Sequence, residues 1–361
     1  MSERNELSLN INKLLQKDGP VCLIIEAHLA PVSGEDRFQP AGFPQIGHVI
    51  YDAPRGENGI EKVCIVDSAA SMANHLESVC LSSARDLALE YEILGLPHVV
   101  CVTDNEATKE KNLSVTSTLK EGHRLASDYF LDGLIKEERF REIIRKEFGI
   151  KEVKKDKTYF IYPENWWAIF TTIFKYDPNS LLHGVLFARE QIKISRMLTA
   201  HMEAFGARRV VSSGVKFDPL GKTTSGQPIF SVDEETARDI RATFVLDLAL
   251  LRSYGRDKLG LNDKQKRLLL ELALWKINRM LSHPFTFRSN CRLKCNELRI
   301  RDEKCTYLGK LPQLNIRSAL DECGFNRECE PTKVYYASSN LFKEGEATTG
   351  ENRVENAGGD S

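Results

Sequence analysis

A short apolar run at residues 21–25 (VCLII) empties directly into residues 27–47 (AHLAPVSGEDRFQPAGFPQIG), which hold Pro31, Gly34, Pro40, Gly42, Pro44 and Gly47. So many breakers let no regular element persist. Any fold this chain adopts must therefore carry a shaped loop directly behind a strand. The run before the loop, entered through Gly19-Pro20, has the continuous apolar pattern of a strand covered on both faces. At the centre of the loop, Arg37, Phe38 and Gln39 set a guanidinium, an aromatic ring and an amide side by side. These are the groups that bind a phosphate, stack on a base and hydrogen-bond a base edge. The same residues have a plainer reading, with Phe38 turned into the core and Arg37 solvated.

Strand and helix signals alternate along the rest of the chain. Residues 62–67 (KVCIVD) read as a strand, and Ser68 is placed to cap a helix whose Ala69, Met72, Ala73, Leu76, Val79 and Cys80 recur at helical spacing. HVVCVTD, opened by Pro97, is a further strand, and residues 137–148 form an amphipathic helix with Phe140, Ile143, Ile144 and Phe148 on one side. Residues 151–157 (KEVKKDK) are a charged connector. The next helix spans 164–176, and its Trp166, Trp167, Phe170, Ile173 and Phe174 read as core because aromatics at helical spacing usually pack. Residues 180–188 and 240–251 are strand candidates, and residues 262–282 make the longest helix, capped by Asn262 and stopped by Pro284. This order suits an α+β sheet with helices on one face. Residues 1–342 form the folded unit, and the Gly/Glu/Asn-rich residues 343–361 are expected to be disordered.

Composition excludes more than it assigns. No apolar run approaches the roughly 20 residues needed to span a bilayer, and the polar start MSERNELSLN lacks the features of a signal peptide, so the expected location is cytoplasmic, with no membrane partner. The cysteines number nine, several in apolar segments, which suits reduced thiols. Fifty Lys+Arg balance 51 Asp+Glu, and setting aside the tail of net charge −3 from residue 343 leaves only +2. Any anionic partner must then be met by basic groups gathered on one surface.

Few patterns carry chemistry. Residues 210–228 (VVSSGVKFDPLGKTTSGQP) have Gly214, Gly221 and Gly226 around Lys216 and Lys222. A Walker loop is rejected, because six residues separate Gly214 from Gly221 where the pattern needs four, and TSGQP cannot begin the phosphate-binding helix. A flexible basic hairpin reads better. Cys291, Cys295, Cys305, Cys323 and Cys329 are spaced too irregularly for a zinc template. His28, His123 and Asp218 are isolated acid–base candidates without a partner at fixed spacing. Arg252, near a strand end, reads as structural.

Several blocks in one order resemble a known family. HLAPVSGEDRFQPAGFPQIG, VDSAASMANHLESVC, GHRLASDYF, YDPNSLLHGVLFAR, SSGVKFD, FVLDLALLRSYG, LALWKINRML and FTFRSNCRL span most of residues 22–293 and resemble the RAMP-superfamily backbone subunit of CRISPR effector complexes of subtype I-U, also called I-G. Ala41, Asp67, His75, Ala126 and Asp128 depart from the family pattern. The resemblance implies a ferredoxin-like, RRM-related palm with large insertions, including a basic thumb-like hairpin at residues 213–227. It further implies a non-catalytic subunit that polymerises along CRISPR RNA, meets target DNA through the guide, and touches other copies of itself and other effector subunits, with no cofactor. RNA contacts are expected at Arg37, Phe38, Gln39, Asn74, His123, Arg124, Lys216, Lys222 and Arg288. The alternative is a RAMP-type RNA endonuclease, for which Asp218 is the nearest carboxylate.

Overall fold

The computed structural model describes residues 8–43, 47–55, 59–82, 87–104, 109, 111–153, 158–210 and 234–337. Its centre is a seven-stranded antiparallel sheet. In chain order the strands are β1 (Cys22–Pro31), β2 (Ile50–Arg55), β3 (Gly59–Asp67), β4 (Leu198–Phe205), β5 (Asp239–Asp247), β6 (Phe285–Arg288) and β7 (Cys291–Asp302). In space they run β6-β7-β1-β5-β4-β3-β2.

The side-chain period of two divides β1 cleanly. Leu23, Ile25, Ala27 and Leu29 are buried while Glu26 and His28 are only half-buried. The expectation of a strand covered on both faces is corrected here, because VCLII extends into the alternating EAHLA and the far face of the sheet is polar. On that face Arg301 bonds Glu26, and Asp239 holds both His28 and Arg241. The helices cover the other face and share one continuous core with it. Longest is Asp263–Leu281, started by a reciprocal capping box between Asn262 and Gln265. Ser68 caps the Ala69–Ser78 helix, as its sequence predicts. Two strand expectations hold only in part: residues 180–183 belong to the helix Pro178–His183 ahead of the short strand Val185–Phe187, and β5 ends at Asp247, whose side chain caps the helix Leu248–Ser253. Both runs are apolar, and an apolar run alone does not separate a strand from a buried helix. Arg252 donates to the carbonyls of Leu14 and Pro20, a structural role.

The sheet curls until its ends approach. Arg288 on the edge strand β6 donates to the Val66 carbonyl of β3 at 2.9 Å. The breaker loop closes the seam, with Gln39 N–H bonded to the Asn290 carbonyl and Ala41 N–H to that of Val66. A five-stranded sheet around Val99–Thr103 includes a parallel pairing to Thr332–Tyr335. Among the described residues, no helix is long and apolar enough to cross a membrane.

Candidate nucleic-acid interface

The Arg37-Phe38-Gln39 segment is built into the fold. Arg37–Phe38 forms a short strand against Glu234–Thr236, which pairs in turn with Arg208–Val210. These pairs are the root of the excursion between β4 and β5; Lys216, Asp218, Lys222 and the expected hairpin at 213–227 lie outside the described residues. Phe38 is fully buried, so the stacking role expected for it is corrected: the ring fills the core and offers no face to a base. Arg37 is half-exposed and bonds Glu234 at 3.0 Å and Glu35 at 3.3 Å. Gln39 contributes backbone, its carbonyl accepting from Arg288.

Arg288 is also occupied internally. Its guanidinium bonds the Gln39 and Val66 carbonyls and lies 3.3 Å from the buried Asp67 carboxylate. Asp67 is bonded by His75, which packs edge-on against Phe285 and Phe287. Burial alone would raise the Asp67 pKa, but hydrogen bonds from His75 and Ser71 and the charge of Arg288 outweigh it and hold the carboxylate below its usual range. Arg288 is therefore a staple across the sheet seam rather than a phosphate ligand.

Arg124 is a second internal staple. Two nitrogens grip the Glu77 carboxylate at 2.6 and 3.0 Å, and Nη1 reaches the carbonyls of Gly184 and Gly122. Both side chains of the pair are buried. Arg124 has φ 52°, a left-handed conformation costly for a non-glycine residue, held here by the bidentate grip. Gly184 at φ 79° has no alternative residue: a Cβ there would lie 2.8 Å from the Ile194 carbonyl oxygen. The expected RNA contact through Arg124 is corrected, since its donors are spent inside the protein.

What the Arg124 staple shapes is a groove of about 860 Å³ between the 122–126 turn and the hairpin Val185–Phe187/Ile192–Ile194. The hairpin buries Val185, Phe187, Ile192 and Ile194 and exposes Leu186 and Lys193, again by period two. Arg189, Lys193, Arg196 and the exposed His123 line the groove. Arg141 lines it too, but is committed to Asp128 and Asp132. Among the described residues Arg189 and Lys193 have no acidic partner, and Arg196 donates only to the Ala69 carbonyl. Exposed cations converging on one concave surface suit the phosphates of a single strand. Asn74 is exposed on the Ala69–Ser78 helix, whose first carbonyl holds Arg196.

Behind the groove lies a buried polar network. Asn179 donates to Glu77 and accepts from Lys276, whose ammonium is 3.3 Å from His183 Nε2. Burial, then the positive charges of Lys276 and Arg124, push the His183 pKa well below the ordinary value. The ring is neutral; Nε2 accepts from the ammonium, so Nδ1 carries the proton and has no partner. Asp177 is pushed up to about 7, by burial first and by Glu77, against the opposing pull of its bond from Ser180 and of Lys276 and Arg124. A raised carboxyl pKa means that the folded state keeps a proton that the unfolded chain has lost above about 3.8. Stability therefore falls as pH rises from about 4 to about 7. Asp177→Asn removes this penalty but buries an amide where Oδ1 already lacks a partner. The net expected gain is about 2 kcal/mol at pH 8, turning into a loss of about 2 kcal/mol near pH 4. Thermal unfolding across pH checks it: parallel wild-type and variant curves would refute the assignment.

Of the residues named from the sequence, His123 and Asn74 are exposed. Sequence reasoning missed Arg189, Lys193 and Arg196. The alternation in residues 192–195 (IKIS) is the signal that could have set Lys193 apart as an outward residue.

An antiparallel sheet backed by helices on one face, with a cation-lined groove beside it, defines a class of α+β protein suited to an anionic strand. The chain belongs to a CRISPR-associated family, "CRISPR-associated protein GSU0053", whose model matches residues 23–209. This accords with the resemblance to a CRISPR-associated family of subtype I-U read from the sequence. Among solved structures, the chain is similar to one in "CRISPR RNA-guided surveillance complex, pre-nicking" at 10% identity, covering 84% of this chain and 88% of that one, with a TM-score of 0.36. It is also similar to Csc2 of Thermofilum pendens at 10% identity, covering 85% and 76%, with a TM-score of 0.27. No curated protein matches.

Proposed function

We propose that this chain is a non-catalytic, guide-RNA-binding backbone subunit of a type I-U (I-G) CRISPR effector complex, repeated along the CRISPR RNA and meeting target DNA through the guide. The observation that carries the reading is the groove in which Arg189 and Lys193, among the described residues, stand without acidic partners beside His123. Membership of a CRISPR-associated family supports the setting. The strand order β7-β1-β5-β4, all antiparallel, with Asp263–Leu281 between β5 and β7, suits a ferredoxin-like palm. The excursion rooted at Arg208–Val210 and Glu234–Thr236 falls in the β4–β5 connection, where the resemblance places a thumb. Backbone contacts hold a strand without reading its sequence, which suits a complex in which base pairing does the reading.

Protein co-produced with its guide should purify with RNA of defined length and an elevated absorbance ratio. Incubated with complementary RNA and DNA, with and without magnesium or manganese, it should leave both strands intact. Purification free of RNA would overturn the binding reading; cleavage abolished by Asp218→Ala would replace it with an endonuclease.

A further inference from the structure

We propose that Phe160 and Tyr162 form a stacking platform for an unpaired nucleobase beside the cation-lined groove. The inference deepens, and rests on, the nucleic-acid reading above. It starts from the ribbon Lys151–Val153/Thr158–Phe160 and the residues that follow it. Alternation sends Tyr159 and Ile161 inward: the Tyr159 ring lies under the Arg145 guanidinium, 4.3 Å from its centroid, and Ile161 packs against the core. Phe160 and Tyr162 consequently point outward, 53% and 49% exposed, with ring centroids 4.6 Å apart at 71°. An edge-to-face pair of this kind leaves a ring face open to a planar guest.

The platform is rigid at its base. Tyr162 N–H bonds Asn165 Oδ1 at 2.7 Å, and the Asn165 amide donates to the Gly149 carbonyl. It is also tied to the groove, because Arg145 bonds Glu190 at 2.7 Å and the preceding residue, Arg189, lines the groove. Lys151 stands opposite Phe160 in the ladder and, exposed there, supplies positive charge at the edge of the platform. Two half-exposed rings are a small apolar patch beside the ~1,200 Å² that a stable protein interface buries. Flanking positive charge and an open aromatic face suit a base on a phosphate strand. Unpaired bases come from either the guide or the target, so both strand chemistries are tested.

The test compares full-length wild type with Phe160→Ala/Tyr162→Ala on a fluorescent 12-nucleotide oligouridine, its deoxy counterpart and an abasic strand of equal charge. Loss of stacking should cost about tenfold in affinity for the base-bearing strand, with an unchanged salt slope and unchanged abasic binding. Abasic binding also shows that the variant is folded, and Phe160→Trp should restore affinity. A loss confined to RNA assigns the platform to the guide, one confined to DNA assigns it to the target, and equal losses show that it accepts either. Unchanged oligouridine and oligodeoxyuridine affinity removes the platform while leaving the groove reading intact. Equal loss on the abasic strand shows damage to the groove and also overturns the proposal. A shift in self-association with intact oligonucleotide affinity reassigns the patch to a protein interface. If wild type binds none of the strands, both readings fall.

Discussion

Arg189→Ala/Lys193→Ala is expected to bind single-stranded RNA about 100-fold more weakly than wild type at physiological salt. Each cation, without an acidic partner among the described residues, can make one charge-assisted contact of about 1.5 kcal/mol with a phosphate. Because the contact is electrostatic, the slope of log affinity against log salt should shrink by about 1.4, two phosphates at roughly 0.7 each on a single strand. The loss should also be the same for every sequence. Lys146→Ala provides the control: this lysine is already paired with Glu138 on an exposed helix face, and its removal should leave both affinity and slope unchanged. Anisotropy titrations at three salt concentrations decide the matter. A double variant with wild-type affinity, or one that fails on particular sequences at an unchanged slope, would dismiss the groove as the RNA path.

A chain of almost zero net charge hides such a surface from composition. The structure explains how the balance is reached. Arg37, Arg124, Arg141, Arg145, Arg241, Arg288 and Arg301 all face carboxylates, so these seven cations are neutralised within the fold. The groove cations stand out only once these pairs are known.

Legibility follows from the same distinction. The Ala69–Ser78 and Asp263–Leu281 helices were readable because cap and periodicity are local. Residues 180–183 read as strand because an apolar run looks alike in either state when every side is covered; here the helix Pro178–His183 is buried throughout. The shaped loop was evident from its breakers, but the fate of Phe38 depended on a three-stranded pairing with residues almost two hundred positions away. Arg124 and Arg288 failed as RNA candidates for a related reason. A sequence shows that an arginine is present, while the acid that captures it, Glu77 or Asp67, lies far along the chain. Lys193 required two facts together, outward alternation and a neighbouring turn, and only the first is local.

The Glu77–Arg124 pair should dominate the stability of the groove. Glu77→Ala leaves a buried guanidinium without its counter-ion and strips Asn179 of its acceptor. Breaking a buried pair from one side costs about 3–5 kcal/mol, because the remaining charge stays desolvated. The left-handed backbone at Arg124 then loses the contact that holds it, and the carbonyls of Gly122 and Gly184 lose the anchor of their shared guanidinium. The wall bearing His123 should loosen together with the fold. Arg124→Met, which removes the cation, should also be strongly destabilising, since Glu77 would keep only Asn179. Combining the two substitutions removes both charges, so the double variant should be more stable than the sum of the single losses implies, by about 2 kcal/mol or more. Denaturant unfolding of the four proteins at pH 7 measures the coupling, and hydrogen exchange at residues 122–126 and 184–186 reports the wall. Strict additivity, or a single-variant loss below about 1 kcal/mol, would mean that the pair neither anchors the turn nor carries the groove.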